Sequence, residues 1–148
     1  MRPARGQWTP RGRTLPRFVG QALAGEPITV FGDGTQTRTF THVADAVGAL
    51  VALADAPRAL GEIVNLGGVE EIAIGALAAR VKALVGSASP IVHVPYEEAY
   101  GEGFEDMPRR VPDITKIRAL IGYEPRRGVD DVIADVAGHL RRAAAAPR

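Results

Sequence analysis

Residues 21–45 read QALAGEPITVFGDGTQTRTFTHVAD, and this stretch decides the fold. A helix-forming run ends at the turn Gly25-Glu26-Pro27, because glycine and proline both interrupt helices. The apolar run Ile28–Phe31 predicts a short strand, which enters a loop that contains Gly32 and Gly34. The stretch therefore predicts a helix, a turn, a strand and a glycine loop in succession.

The glycine loop leads directly to three polar residues, Gln36, Thr37 and Arg38. A turn that places an arginine beside free backbone N–H groups suits a phosphate, because the guanidinium fork matches two anionic oxygens at once. A Gly-Asp-Gly sequence is also an ordinary turn, and that alternative stays open from the residues alone. Arg38 is the first candidate for a binding residue.

Five motifs in this chain resemble one known family, and they follow that family's order. They are GRTLPRF at 12–18, the run at 25–40 with HVAD at 42–45, NLGG at 65–68, RVPDITK at 110–116 and LIGYEP at 120–125. They are similar to the carboxyl-terminal half of nucleotide-sugar epimerases, dehydratases and decarboxylases in the extended branch of the short-chain dehydrogenase/reductase family. Examples are UDP-glucose 4-epimerase, UDP-glucuronate decarboxylase and dTDP-glucose 4,6-dehydratase. Phe31 and Thr39 depart mildly from the tyrosine and serine that this family often has there.

The resemblance implies an α/β fold: a small α+β substrate-binding domain, plus the last strand and helices of a Rossmann-type sheet. We expect this carboxyl-terminal, sugar-nucleotide-binding part of the family to span residues 13–145, after an irregular basic arm at 1–12 and before a short tail at 146–148. The resemblance also implies NAD as the cofactor of the intact family, a nucleotide-sugar as the ligand and no metal.

Two features of the family do not occur in this sequence. No G-x-G-x-x-G is present, because the loop at Gly32 has Thr37 where the last glycine would stand. The family's Tyr-x-x-x-Lys pair is absent too, since the only lysines, Lys82 and Lys116, follow Ala78 and Pro112 at that spacing. We therefore expect substrate contacts from this chain, no catalytic residue and no turnover by the chain alone.

The resemblance assigns roles to four arginines. Arg38 matches the arginine that holds the diphosphate, and Arg110 matches one that reaches the ribose or a phosphate. Arg109, its neighbour, is the alternative in register, and Arg13 matches a segment that approaches the nucleotide. A simple surface role is the competing interpretation for Arg38 and Arg110.

Three further candidates lie on the predicted strand and the loop after it. Val30 and Phe31 match a segment that lies against the base in relatives, where backbone groups bind its polar edge and a ring can stack. Core packing is the alternative for Phe31. Gln36 offers hydrogen bonds to the ligand or to the turn itself.

Composition excludes several other classes of function. The chain has no cysteine, a net charge of +1 and no apolar run near the ~20 residues that span a bilayer, so we expect a cytoplasmic protein without disulfides. A basic stretch runs through Arg2, Arg5, Arg11, Arg13 and Arg17, but no nucleic-acid-binding motif accompanies it, so we expect a solvated arm or an edge exposed by the absence of the family's other half. The acidic residues at 97–106 lack the spacing of a calcium loop, and we expect a solvated loop there.

The remaining pattern predicts helices at 15–24, 74–85 and 113–120, and a last helix from Val129. It also predicts strands at 39–43, 62–66 and 91–94. Asp45 is expected to cap a helix whose apolar face is Val47, Leu50, Val51 and Ala54. The strand at 62–66 would join the cofactor-binding sheet in the family. Without that sheet it lacks partners, so we expect a chain that is marginally stable by itself, oligomeric or dependent on a partner.

These observations predict the nucleotide-sugar-binding portion of an NAD-dependent epimerase or dehydratase, with UDP-sugars as the preferred ligands. Two alternatives remain open: a stand-alone nucleotide-sugar-binding module and a truncated remnant without function. The missing redox portion would come from a preceding segment or another chain.

Overall fold

A computed structural model describes residues 13–103 and 106–145 of the chain. Its helices are α1 (Thr14–Ala24), α2 (Val43–Ala54), α3 (Ile74–Val85), α4 (Tyr96–Tyr100), α5 (Thr115–Ile121) and α6 (Val129–Ala145), with a 3-10 turn at Pro57–Ala59. Its strands are β1 (Ile28–Phe31), β2 (Thr37–Thr39), β3 (Glu71–Ala73), β4 (Ile91–Val94) and β5 (Arg109–Arg110). The fold is α/β, as expected. The arm at 1–12 and the tail at 146–148 lie outside the described residues.

The strands form two small sheets. In the first, β1 and β4 run parallel, with Ile28 opposite Ile91. In the second, β2 lies in the centre, antiparallel to β3 and parallel to β5. The register of β2 and β5 places Arg38 opposite Arg110. Two predicted binding residues therefore lie side by side.

The main core lies where α1, α3 and α6 pack together and against β1. Its fully buried side chains include Phe18, Leu77 and Ile133. The spacing of Leu15, Phe18, Val19 and Ala22 explains why α1 buries one face, because residues three and four apart share a side of a helix. Gly25, with φ of 70°, ends α1 in the left-handed conformation, as the turn sequence predicts.

The prediction of a strand at 39–43 is wrong. Strand β2 ends at Thr39, and α2 begins at Val43 because the side chain of His42 caps it. The Nδ1 atom of His42 accepts the backbone N–H of Ala44 at 3.1 Å. Asp45, the predicted cap, lies inside the first turn and is buried.

The predicted apolar face of α2 is exposed to solvent. Val47, Leu50 and Val51 are 53%, 60% and 58% exposed, whereas Ala49 faces a second core cluster with Ile117 on α5. These apolar residues lie on a helix, as predicted, but their side chains do not contribute to the core.

The prediction of a strand at 62–66 is also wrong for the described residues, where this segment has no ladder partner. Ile63 is 89% exposed. A strand needs a neighbour for its backbone groups, and here the segment runs without one. Strand β3, at Glu71–Ala73, pairs with β2 instead and was not predicted. None of the helices in the described ranges is long and apolar enough to cross a bilayer.

Candidate anion-binding site

A cavity of about 210 Å³ brings four of the predicted site residues together: Phe31, Gln36, Arg38 and Arg110. Phe31 comes from β1, Arg38 from β2 and Arg110 from β5, so both sheets contribute to its wall. Helices α1, α3 and α4 also contribute to the lining, together with Asp106 from the segment before β5.

Strand geometry explains which of the two neighbouring arginines lines the cavity. Successive side chains of a strand point to opposite faces, so Arg109 and Arg110 diverge. Arg109 donates from Nε and Nη2 to the two carboxylate oxygens of Glu71, at 2.9 and 3.0 Å. Thr37, opposite Arg109 in the register, donates to the same carboxylate at 2.6 Å. The cavity lies on the other face, with Arg38 and Arg110.

Arg38 uses part of its hydrogen-bonding capacity for contacts within the protein. Its Nη1 donates to the carbonyls of Thr37 and Met107, both at 2.7 Å, and its Nη2 donates to Oδ1 of Asp106 at 2.6 Å. A guanidinium has five N–H donors. These three bonds fix the side chain at the cavity wall and leave donors for a ligand.

A hydrogen-bonded chain within the cavity lining holds Arg38 in position. Gln36 donates from Nε2 to the carbonyl of Phe31 at 3.0 Å and to the hydroxyl of Tyr96 at 2.7 Å. The hydroxyl of Tyr96 donates to Oδ2 of Asp106 at 3.0 Å. Burial, together with the nearby carboxylate, raises the pKa of Tyr96 to about 12. The phenol is therefore protonated at neutral pH, and it links Gln36 to the carboxylate that holds Arg38.

The expectation of free backbone N–H groups in the glycine loop is wrong for two of its positions. The N–H of Gly32 donates to the carbonyl of Val94 at 2.8 Å. The N–H of Thr35 donates to Oδ1 of Asp33 at 2.9 Å, and this bond is the main reason that the pKa of Asp33 lies below its usual value. The loop is an Asp-stabilised turn, and these two N–H groups are not available to an anion.

The glycines of this loop are needed for packing against protein. A Cβ on Gly32 would lie 2.4 Å from the ring of Tyr96, and one on Gly34 would lie 3.1 Å from Gly75. Glycines in a dinucleotide-binding turn leave room for a pyrophosphate instead. The residues present therefore do not fit the pyrophosphate of NAD at this turn.

Val30 and Arg13 lie away from the cavity lining. The side chain of Val30 is fully buried in the main core, and Arg13 is exposed just before α1. Phe31 sits at the cavity, with its ring edge-on to Tyr100 at a centroid distance of 5.3 Å. Core packing explains Val30, whereas Phe31 has a ring at the cavity wall.

Arg17 lines the cavity, although the sequence placed it in a solvated arm, and that placement is wrong. It is 3% exposed, and its guanidinium lies 4.0 Å from the centroid of the Phe31 ring. The available signal was its helical spacing from Gln21, four residues later, because both lie on one flank of α1 and both are buried.

A larger cavity, of about 330 Å³, lies over α2 and α5 next to Asp45. Both oxygens of Asp45 are already bonded, to the backbone N–H groups of Arg126 and Arg127 and to the Arg127 guanidinium. We place the candidate site in the smaller cavity because the anion-binding side chains converge there. In the described part of the chain, no group of three or more His, Asp or Glu side chains is arranged to hold a metal ion.

Known proteins with similar sequences belong to a family whose fold agrees with the α/β fold described above. The family model described as "NAD dependent epimerase/dehydratase family" matches residues 3–67. A UDP-N-acetyl-alpha-D-glucosaminuronate decarboxylase of Bacillus cytotoxicus is 44% identical over 116 residues, which are 78% of this chain and 36% of that protein. UDP-glucuronic acid decarboxylase 1 of Danio rerio is 43% identical over 77% of this chain and 25% of its own length. The chain thus spans about a third or less of these relatives.

Solved structures of the family share the fold. The UDP-glucuronic acid 4-epimerase of Bacillus cereus, in complex with UDP-glucuronic acid and NAD, superposes with a TM-score of 0.77 at 26% identity. That match covers 88% of this chain and 40% of the epimerase chain. The UDP-glucose 4-epimerase of Thermotoga maritima, with UDP-glucose, gives a TM-score of 0.78 at 23% identity, over 93% of this chain and 43% of that one.

The fold is thus that of an α/β domain of the Rossmann-related epimerases. The chain belongs to the NAD-dependent epimerase/dehydratase family, within the extended short-chain dehydrogenases/reductases, and corresponds to the carboxyl-terminal part of its relatives. The family uses NAD.

Proposed function

We propose that this chain binds the nucleotide-sugar substrate of an NAD-dependent epimerase or decarboxylase, with a UDP-sugar as the ligand. The observation that carries the proposal is the position of Arg38 and Arg110. They are register partners on neighbouring strands, and both line one cavity.

In this proposal, these two arginines bind the diphosphate of the ligand. A guanidinium donates two parallel hydrogen bonds to phosphate oxygens, and such charged bonds are about twice as strong as neutral ones. Arg38 is already held by the backbone and by Asp106, so little side-chain entropy is lost when it binds a ligand. Arg110 is exposed at the mouth and can move to meet the second phosphate.

In this proposal, the nucleobase of the ligand lies beside Phe31. The ring is half-buried at the cavity wall, and an aromatic face can stack on a nucleobase. Gln36 then acts indirectly, by holding Tyr96 and through it Asp106. Val30, Arg13 and Arg109 lie outside the lining, so the proposal assigns them no ligand contact, and their predicted roles stay predictions.

The preference for UDP rests on the relatives. Those that are 43–44% identical act, by name, on UDP-glucuronic acid and UDP-N-acetyl-alpha-D-glucosaminuronate. UDP-glucuronic acid is therefore the first ligand to test. Because the glycine turn does not fit a dinucleotide, we assign no redox step to these residues and expect no turnover by the chain alone. A cytoplasmic location likewise stays a prediction.

Adjacent arginines on β5 allow a matched test of the site. We expect Arg110→Ala to weaken the binding of UDP-glucuronic acid about tenfold, the effect of losing a hydrogen bond to a charged group. Arg109→Ala removes the same charge from the other face of the strand, so it is expected to change the affinity less than twofold. Isothermal titration calorimetry measures both dissociation constants.

Equal effects of the two substitutions would contradict the proposed site and indicate only a general electrostatic attraction. Saturable binding without turnover supports a substrate-binding portion or a stand-alone module. Absence of heat at millimolar ligand would support the remaining alternative, a remnant without function.

The second part of the proposal concerns protein partners and rests on the exposed face of α2. Val43, Val47, Leu50 and Val51 on this helix, with Ile63 on the unpaired segment, are all more than half exposed. Apolar patches of this kind mark interaction sites. We propose that this surface docks the cofactor-binding portion, supplied by a preceding segment or another chain, and that copies of the chain associate through it when that portion is missing.

Replacing Val47 and Leu50 together with glutamine tests the role of this surface. We expect the double variant to remain monomeric at concentrations where the unmodified chain self-associates, because glutamine keeps the helix but removes the apolar area. Sedimentation velocity over a range of concentrations measures this difference. Leu84→Gln, at an exposed apolar position on α3 outside this surface, serves as the control. Monomeric behaviour of the unmodified chain at every concentration would contradict self-association.

A further inference from the structure

Arg17 is a buried cation for which the described residues supply no carboxylate. Its Nη2 donates to the carbonyl of Thr29 at 3.1 Å, and its side chain is hydrogen-bonded to Tyr100. Among the described residues its Nε has no hydrogen-bond partner, and this atom is inaccessible to solvent. Burial lowers the pKa of Arg17 below its ordinary value, and the electrostatic and hydrogen-bond interactions with Tyr100 partly oppose that shift.

A buried arginine without a carboxylate partner lowers the stability of the folded chain when no ligand is bound. Buried charges in proteins are normally paired, because desolvation of an ion is expensive. The face of the Phe31 ring, 4.0 Å away, offsets only part of that cost through a cation–π contact. Strained or unsatisfied groups persist at functional sites, where a ligand satisfies them.

The charged residues around the cavity show what kind of ligand would do so. Arg17, Arg38 and Arg110 are positive, and Asp106 is the one negative charge among the described lining residues. Because Asp106 is paired with Arg38, the cavity is left with an excess of two positive charges. A nucleoside diphosphate sugar carries one negative charge on each of its two phosphates. The excess therefore matches the charge of the diphosphate group, to which a uronic acid adds the negative charge of its carboxylate.

We propose that Arg17 is a third cationic binding residue of this cavity, and that it makes the site selective for the charged diphosphate over the uncharged nucleoside. This inference rests on the proposed function of the cavity and adds a residue to it. Arg17 acts from α1, at the side of Phe31, whereas Arg38 and Arg110 act from the second sheet. A ligand held by all three would join the two sheets and the first helix.

A purely structural role for Arg17 would have a different signature. In that case, its bonds to Thr29 and Tyr100 would only hold the wall of the cavity. Loss of the side chain would then weaken every ligand alike, charged or uncharged. The comparison of UDP with uridine separates the two roles, because these ligands share the base and ribose and differ in charge.

The test measures the binding of UDP and of uridine to the unmodified chain, to Arg17→Met and to Arg17→Lys, by ligand-observed NMR titration at low salt. Methionine keeps the length of the side chain without its charge, and lysine keeps the charge without the fork. We expect Arg17→Met to weaken UDP binding tenfold or more, about the effect of losing a charged hydrogen bond, and to change uridine binding less than twofold. Arg17→Lys is expected to retain most of the preference for UDP.

Each other outcome counts against a stated claim. Equal losses for UDP and uridine in Arg17→Met would overturn the proposal in favour of a structural role, and unchanged UDP binding would overturn it outright. If Arg17→Met fails to fold, the test relies on Arg17→Lys, which keeps the positive charge. Loss of the preference for UDP over uridine in Arg17→Lys would then overturn the proposal. Failure of the unmodified chain to bind UDP would instead refute the function of the cavity, and the role of Arg17 with it.

Discussion

Replacing Arg38 with alanine is expected to weaken the binding of UDP-glucuronic acid about 10- to 150-fold, which corresponds to the ~1.5–3 kcal/mol of a hydrogen bond to a charged group. The side chain is only 16% exposed and its position is fixed by three bonds, so the substitution removes a preorganised donor from the cavity wall. The loss should exceed that of Arg110→Ala, because Arg110 is exposed. Calorimetric titration of both variants under one salt concentration measures the difference.

Arg38→Lys provides the control for this substitution. Lysine keeps a positive charge beside Asp106 but cannot form two parallel bonds to a phosphate. We expect an intermediate affinity, with an unchanged free energy of unfolding within about 1 kcal/mol. If Arg38→Ala bound the ligand as tightly as the unmodified chain, the role assigned to Arg38 would be wrong.

Replacing Asp45 with asparagine is expected to lower the free energy of unfolding by about 2–4 kcal/mol, the range for breaking a buried network of charged hydrogen bonds. The carboxylate is 5% exposed and accepts the N–H groups of Arg126 and Arg127 at 2.9 Å each, together with the Arg127 guanidinium at 2.6 Å. An asparagine at this position presents an NH₂ group to at least one of these donors. Asp55→Asn, on the exposed end of α2, should change stability by less than about 0.5 kcal/mol. Urea unfolding measures both variants.

The contribution of Asp45 also depends on pH. Burial acts to raise the pKa of this carboxyl, but the hydrogen bonds from Arg127 and Arg126 outweigh it, so the folded-state pKa lies below the ordinary value. The unfolded chain therefore binds the proton more readily than the folded chain. The stabilisation is complete above the unfolded pKa of about 4 and is lost as the pH falls through the folded value. The stability difference between the unmodified chain and Asp45→Asn should shrink over that range, and a constant difference would contradict this account.

Local sequence signals predicted most of the helices and the first strand correctly. Gly25 and Gly122 end helices at the expected positions, and Ile28–Phe31 is a strand as expected. These elements depend on periodicity and on residues with special backbone preferences, which a sequence displays directly. The strand expected at 62–66 depends on a partner strand, and no local pattern shows whether that partner is present.

The sequence predicted only part of the candidate site, because some of its contacts depend on the tertiary fold. The resemblance of the motifs identified Arg38 and Arg110, but only the register of β2 and β5 shows that Arg110, and not Arg109, lies on the cavity side. The pairing of Arg38 with Asp106 joins residues 68 positions apart, and sequence spacing cannot predict such a contact. Arg17 was assigned to the wrong environment because a charged residue next to a basic arm is usually solvated.

A crystal structure of the chain grown with UDP-glucuronic acid tests the central claim most directly. The account predicts diphosphate oxygens within about 3 Å of the guanidinium groups of both Arg38 and Arg110, in the cavity beside Phe31. A nucleotide bound elsewhere, for instance in the larger cavity next to Asp45, would contradict it.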